Sequence, residues 1–389
     1  MKDRAEVVII GGGIIGCSIA YQLAKKGKKA LLLERDGIGE GTSSGCDGFV
    51  FMQTKKPGKP LELALKSADL LAQFEKELGA DLHYVRPGGL ILIENEELLK
   101  IMEHVVEEQQ KQGMEVRIIS GDEARAMEPC LSDNIIAAAY SDLDGHINPI
   151  DTTQAFARGA AALGVEIETH CPVTGILMEN GRVIGVDTAK GKVYSDTVIN
   201  ACGVWAPEIG KMVGMDIPIR PRRGMTLVTE PLGPMFHKVM LDSRYIAIKH
   251  HPEMAEGGDE FLKLGVGLSI EQTAHGNILI GNSRDFPEGY DRSVTYEVTR
   301  AIARYASKFV PFLQDVSIIR TFAGLRPYCT DGYPIVGPVK SVPGMIMASG
   351  LEGDGIALSA VIGDIVSDYA MDGTTKYEVD SFLFDRFEK

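Results

Sequence analysis

Three glycines, Gly11, Gly13 and Gly16, stand between an apolar run and a helical pattern in the spacing G-x-G-x-x-G. That spacing suits a pyrophosphate: one glycine allows the tight turn, one lets the backbone approach the phosphates, and one brings helix and strand together. Ile14 and Ile15 open the helix, whose unpaired N–H groups and positive dipole end favour an anion. Glu34 closes the next apolar run, eighteen residues beyond Gly16. An acid about 20 residues on is placed to reach ribose hydroxyls, and Arg35 follows it. The stretch GTSSGCDG (41–48) comes next, where Thr42, Ser43, Ser44 and Gly45 offer small hydroxyls and accessible backbone to phosphate oxygens. Near the far end, Gly350, Gly353, Asp354, Gly355 and Ile356 lead from an apolar run into a second helix, giving a second exposed helix N-terminus. The glycine fingerprint fits NAD and FAD alike.

These residues require a frame. Glu6–Ile10 reads as a strand buried on both faces, Ile14 to about Lys26 as a helix ended by Gly27, and Ala30–Leu33 as a second strand, together a βαβ unit. Leu61, Leu63, Leu65, Leu70, Leu71 and Leu78 predict an amphipathic helix over about 62–78. Segment 82–93 reads as two strands across a Pro-Gly-Gly turn, followed by a polar helix over roughly 95–112. A helix at about 151–163 precedes strands punctuated by Asn180-Gly181 and Lys190-Gly191, both hairpin signals. Residues 217–325 read as strands and loops with one helix near 293–309, and 250–260 as a polar loop. The end reads as a loop (331–344), a strand at Met345–Ser349 and a helix over 355–371.

Composition narrows the class. The 389 residues carry 40 Lys and Arg against 54 Asp and Glu, a formal charge of −14. That balance argues against nucleic acid or anionic membrane as general partners. With 44% hydrophobic and 24% charged residues the chain is globular, and long enough to fold without staples. The six cysteines (17, 46, 130, 171, 202, 329) show no CxxC pair and no zinc-ligand spacing, so no metal is expected and a reducing, cytoplasmic setting is. The apolar stretch Val7–Ala20 is broken by four glycines, and no stretch reaches the ~18 to 20 apolar residues of a membrane span.

Five blocks in order, VVIIGGGIIGCSIAYQLA…LLLER (7–35), GTSSGCDG (41–48), VINACGVWAPEIG (198–210), AGLRPYCTDGYPIVGP (323–338) and GLEGDGIAL (350–358), resemble the D-amino-acid oxidase-like flavoproteins. This family includes glycine and sarcosine oxidases and the β subunits of proline, hydroxyproline and hydrogen-cyanide-forming dehydrogenases. The last two blocks look most like those β subunits. The resemblance implies an elongated FAD, with Val173 near the adenine and Ala201, Cys202, Gly203 and Trp205 against the dinucleotide. It implies Arg326 as the substrate carboxylate anchor, a role that suits the bidentate guanidinium, and Tyr245 as a second contact or roof. Gly324 stands where monomeric sarcosine oxidases carry a cysteine attached to flavin, so non-covalent FAD is expected. Leu351 stands where many relatives have His. His146, His250, His251 and His275 are left as acid–base candidates that no motif separates.

The expected fold class is α/β, a Rossmann-like FAD-binding domain interleaved with an α+β substrate domain on a mostly antiparallel sheet. The expected division is 1–80, 145–215 and 326–389 for the first, and 81–144 and 216–325 for the second. The expected reaction is hydride transfer from the carbon beside an amine nitrogen of a small amino or imino acid to flavin N5. Electrons would go to a partner subunit, a quinone or oxygen, since no second complete G-x-G-x-x-G is present for NAD. The alternatives are an FAD-dependent 2-hydroxy acid or glycerol-phosphate oxidoreductase, and a non-catalytic flavin-binding subunit.

Overall fold

The computed structural model describes residues 3–250 and 258–388. His251 lies outside them, as does the side chain of His250.

The apolar run Val7–Ile10 becomes a fully buried strand at the centre of a six-stranded sheet. Parallel neighbours flank it: Ala30–Leu33 then Glu166–Glu168 on one side, Val198–Asn200 then Met345–Ser349 on the other. Ile335–Pro338 closes the edge antiparallel to Met345–Ser349. Ile10 aligns with both Leu33 and Asn200, so the loops after three strands open at one edge of the sheet. Ligands of parallel sheets bind at that edge. The helix Ile14–Lys25 crosses the sheet between Pro149–Ala162 and Gly355–Asp372. Ser18 donates to Ser359 O at 2.8 Å where Gly363 permits close approach.

The second sheet has eight strands, in the order 318–329, 219–231, 277–281, 269–272, 239–242, 89–93, 137–141, 117–120. All its pairs are antiparallel except 89–93 with 239–242. The long pair Ile219–Pro231 and Ile318–Cys329 sets Arg222 opposite Arg326 and Gly224 opposite Gly324. A three-stranded meander (Val173–Glu179, Arg182–Thr188, Gly191–Tyr194) turns at Asn180-Gly181, both at positive φ, and at Lys190-Gly191.

The amphipathic helix forms as Lys59–Leu78, burying Leu61, Leu63 and Leu71. Three expectations need correction. Segment 82–93 is not a hairpin: only Gly89–Ile93 is a strand, and Val85 makes a single bridge to His146 instead. The region 217–325 also contains the helices Ser243–His250 and Glu260–Lys263, the latter capped by Asp259. Strand Ile318–Cys329 runs through the expected boundary at 325/326, because its ladder with 219–231 continues to Cys329. Among the described residues no helix is long and apolar enough to cross a membrane, and no cluster of metal-ligating side chains forms.

Candidate active site

One elongated cavity runs along the open edge of the six-stranded sheet and ends against the eight-stranded one. At its first end, Gly11 turns the chain at φ 109°, and a Cβ there would lie 2.6 Å from Ala201 O. Gly13 caps the helix without a side chain, which leaves its mouth open to the cavity. Ile14 N–H donates to Ser43 Oγ at 3.0 Å. Glu34 accepts from Gly12 N–H at 2.6 Å and from Asp36 N–H at 2.8 Å, so backbone fixes its carboxylate at the cavity wall. The Arg35 guanidinium lies 4.1 Å over the Trp205 ring, whose other neighbour is Tyr290 at 5.5 Å. Arg35 and Trp205 line the cavity beside Cys171, Pro172 and Val173, a ring and apolar surface suited to a purine.

Midway, Thr42 donates to Leu325 O at 2.7 Å and Ser349 to Gly203 O at 2.9 Å, tying the loops to the strands around them. Gly45 and Gly324 meet backbone to backbone; a Cβ at 324 would overlap the Gly45 carbonyl, so no side chain fits there. At the far end the helix Gly355–Asp372 starts without a side-chain cap, and Gly353, Gly355 and Ile356 line the cavity. A ring and apolar surface for a purine, a glycine cradle at one helix N-terminus and a second uncapped N-terminus in one continuous cavity fit FAD.

Arg326 ends the cavity. Its Nη1 donates to Ser283 O at 3.2 Å, and the guanidinium rests on Gly224, where any side chain would overlap it. Around it gather groups that sequence spacing did not connect. Arg222 Nη1 lies 3.4 Å from Glu352 Oε1, and Arg284 stacks 3.5 Å over the ring of Tyr245. Burial disfavours a charged Glu352, but Arg326, Arg284 and Arg222 together hold its carboxyl below the ordinary range. Burial pushes the Tyr245 hydroxyl up against the pull of Arg284. Lys55, 3% exposed, pairs with Asp354 at 2.6 Å. Burial raises the Asp47 carboxyl, with Arg326 opposing, and lifts Glu271 to about 8, with the Asp47 charge adding. Burial also pushes the Cys46 and Cys202 thiols up, so neither is a thiolate at neutral pH.

Of the sequence-derived candidates, Gly11, Gly13, Ile14, Ile15, Glu34, Arg35, Thr42, Ser43, Gly45, Val173, Ala201, Cys202, Gly203, Trp205, Gly324, Arg326, Gly353, Gly355 and Ile356 line this cavity. Five candidates do not. Gly16 packs on the Gly11 carbonyl, Ser44 is exposed and points back to Gly41 O, and Gly350 turns against Cys329 and Pro334. Asp354 is drawn to Lys55, and Tyr245 sits behind Arg284. No described histidine lines it. His146 and His275 line a separate cavity with His83, and burial, reinforced by His83, pushes His146 down to about 4. Asp47 and Glu352 stood inside the blocks GTSSGCDG and GLEGDGIAL and could have been singled out as the ionisable members of each. Nothing local marks Arg222, Arg284 or Glu271.

Known proteins are similar to this chain in sequence and fold. The family described as DAO, FAD dependent oxidoreductase, matches residues 6–369. Hydrogen cyanide synthase subunit HcnC of Pseudomonas aeruginosa is 29% identical over 431 residues, covering 100% of this chain and 97% of its own. The crystal structure of L-proline dehydrogenase from P. horikoshii superposes with TM-score 0.90 at 28% identity, covering 100% of this chain and 99% of that one. Glycine oxidase from Geobacillus kaustophilus superposes with TM-score 0.87 at 26% identity, covering 98% of each chain. The chain belongs to the DAO family and is an FAD-dependent oxidoreductase.

Proposed function

We propose that the protein oxidises the C–N bond of a small amino or imino acid, of the glycine, sarcosine, proline, hydroxyproline or D-amino acid type. The observation that carries this reading is Arg326: a guanidinium on the cavity wall whose described hydrogen bonding is one backbone carbonyl. It can offer its remaining N–H pair to a substrate carboxylate. The flavin supplies the hydride acceptor. The chain's own residues orient the substrate: Arg326 holds the carboxylate, Gly224 and Gly353 leave room beside it, and Tyr245 backs the site through Arg284. Gly353 N–H is taken by Glu352 Oε2 and Asp354 N–H by Leu351 O, so it is the uncapped helix start at Gly355 and Ile356, on the cavity wall, that favours negative charge there. HcnC is a subunit of hydrogen cyanide synthase, which supports an electron-accepting partner subunit here too, ahead of oxygen or a quinone. Six unpaired cysteines support a cytoplasmic setting.

The same reading divides the chain into an FAD-binding domain (1–80, 145–215 and the C-terminal segment) and a substrate domain between. The last cut moves from 325 to the end of strand Ile318–Cys329. Anaerobic bleaching of the flavin by a panel of amino acids, imino acids and hydroxy acids tests the reading, with air and then artificial acceptors added afterwards. Bleaching by an amine supports it; bleaching by hydroxy acids alone overturns it. Arg326→Ala should retain FAD and raise the apparent substrate constant roughly 10- to 150-fold, the loss of a charge-assisted pair.

A further inference from the structure

The loop that carries Thr42 and Ser43 is also a partition. Ser43 and Cys46 line both the cofactor cavity and a second cavity of about 970 Å³ on its other side. Two carboxyl groups stand in this partition, Asp47 on the wall of the first cavity and Glu271 on the wall of the second. A short frame joins them. Gly48 N–H donates to Glu271 Oε1 at 2.9 Å, while Phe49 N–H and the Ser269 hydroxyl lie near enough to Asp47 to favour its charged form. Ser269 and Glu271, two apart on one strand, present their side chains to the same face. Glu271 is 3% exposed, and its Oε2 is buried with no hydrogen-bond partner among the described residues. A carboxylate oxygen so placed is costly as an anion and readily carries a proton.

The charges around the pair differ from one side to the other. Arg326 and Lys55 face Asp47, with the Cys46 thiol beside it, and both cations favour its ionised form. Glu271 has the Asp47 charge and the Gly48 N–H as its near electrostatic neighbours, and no cation among the described residues offsets its burial. The second cavity beyond it is lined by His83, His146, His275, Arg320, Glu75 and Asp81. A proton arriving at Asp47 therefore finds a better resting place on Glu271, and a polar exit beyond.

We propose that Asp47 and Glu271 conduct the proton lost by the substrate nitrogen from the cofactor cavity into the second cavity, an inference that rests on the amine reading above. An N–H bond of the bound ammonium breaks as an O–H bond forms on the Asp47 carboxylate. Asp47 returns to carboxylate as its proton passes to Glu271. Glu271, which lines the second cavity, then releases that proton into it and is ready for the next. No electrons move in this transfer, and it leaves the amine with the free lone pair that C–N oxidation requires. A hydroxyl substrate would lose its proton along the same path.

The test uses the FAD-loaded enzyme and whichever compound of the panel bleaches the flavin, amine or hydroxy acid, so that it stands apart from the test of substrate class. Glu271→Gln should slow anaerobic flavin reduction about a hundredfold, the usual scale for assisted proton transfer. The apparent substrate constant should stay within twofold, and the rise of the rate with pH should disappear. Glu271→Ala should recover at least tenfold on adding formate, a small carboxylate able to enter the second cavity. The wild-type minus Glu271→Gln infrared spectrum at neutral pH should show the carbonyl stretch of one protonated carboxylic acid, beyond the contributions of Asp144 and Glu128 that both proteins share. A Gln variant that reduces flavin at the wild-type rate with the wild-type pH profile overturns the proposal. So does a wild-type minus Glu271→Gln spectrum without that band, or a rate loss that formate leaves untouched.

Discussion

Gly11 and Gly13 belong to one motif, yet their surroundings predict different failures on substitution by alanine. Gly11 sits at φ 109°, where an L-residue bears a strain of about 1–3 kcal/mol. Its new Cβ would lie 2.6 Å from Ala201 O, against roughly 3.3 Å for a carbon–oxygen contact. Two parallel strands of the central sheet would have to part by about 0.7 Å, and such overpacking costs a further 1–3 kcal/mol or so. The total, about 2–6 kcal/mol, is a large share of the 5–15 kcal/mol or so that holds a domain folded. Gly13 has φ −74° and its Cβ would meet only Ser43 Oγ at 3.3 Å, so the empty fold should lose less than about 1 kcal/mol. Its cost falls on the ligand, because the methyl group points to where the pyrophosphate approaches the helix. Gly11→Ala should therefore lower the thermal midpoint of apoprotein and holoprotein alike. Gly13→Ala should leave the apoprotein midpoint close to wild type and weaken FAD about a hundredfold. Calorimetric melting with and without FAD, beside FAD titration, reads both. Equal apoprotein losses in the two variants would refute the reasoning.

Further outcomes follow from charges in the interior. Glu271, lifted to about 8, and Asp144 and Glu128, each lifted to about 7 mainly by burial, bind protons more tightly folded than unfolded. Their stabilisation is complete below the ordinary carboxylate range and is lost as pH rises towards 8. Melting midpoints should thus fall between pH 5 and pH 8 or so, and fall less in Glu271→Gln; identical slopes would remove Glu271 from the account. Lys55→Met takes the cation from a pair whose Asp354 end is partly exposed, so a loss of about 2 kcal/mol is expected, below the roughly 3–5 of a fully buried pair. Lys55→Met with Asp354→Asn should recover part of that in urea melts. Glu34→Ala removes the acceptor of two backbone N–H groups, and FAD titration should show affinity weakened at least tenfold.

The cofactor end was legible because its determinants are local. Strand, glycines, helix and terminal acid fall within Val7–Glu34, and each is fixed by backbone that periodicity can read. Hairpins at Asn180-Gly181 and Lys190-Gly191 were legible for the same reason. The substrate end was not, because its members meet only through long-range register. Arg222 and Arg326 are neighbours across one antiparallel ladder, 104 positions apart in the chain, and a slip of one residue would turn either to the opposite face. Asp47 and Glu271 meet because Gly48 bonds to a strand more than 200 residues away. The helix Ser243–His250 escaped notice because its apolar residues, Tyr245, Ile246, Ala247 and Ile248, run together without helical spacing. Segment 82–86 resembles a strand in composition, but its partner is the bridge at His146 and not the strand that follows it.

The seam where Gly45 and Gly324 touch has a consequence for the life of the enzyme in the cell. With no room there for a sulfur, the chain offers the cofactor no permanent link at that place, and FAD held without a bond elsewhere would be free to exchange. The amount of working enzyme then follows the supply of FAD, and so does resistance to unfolding. A free FAD concentration 100 times the dissociation constant adds about 2.7 kcal/mol to stability, and scarcity withdraws it. Riboflavin starvation should deplete this protein by turnover of its emptied form, and restored supply should rebuild activity from surviving apoprotein before any new synthesis.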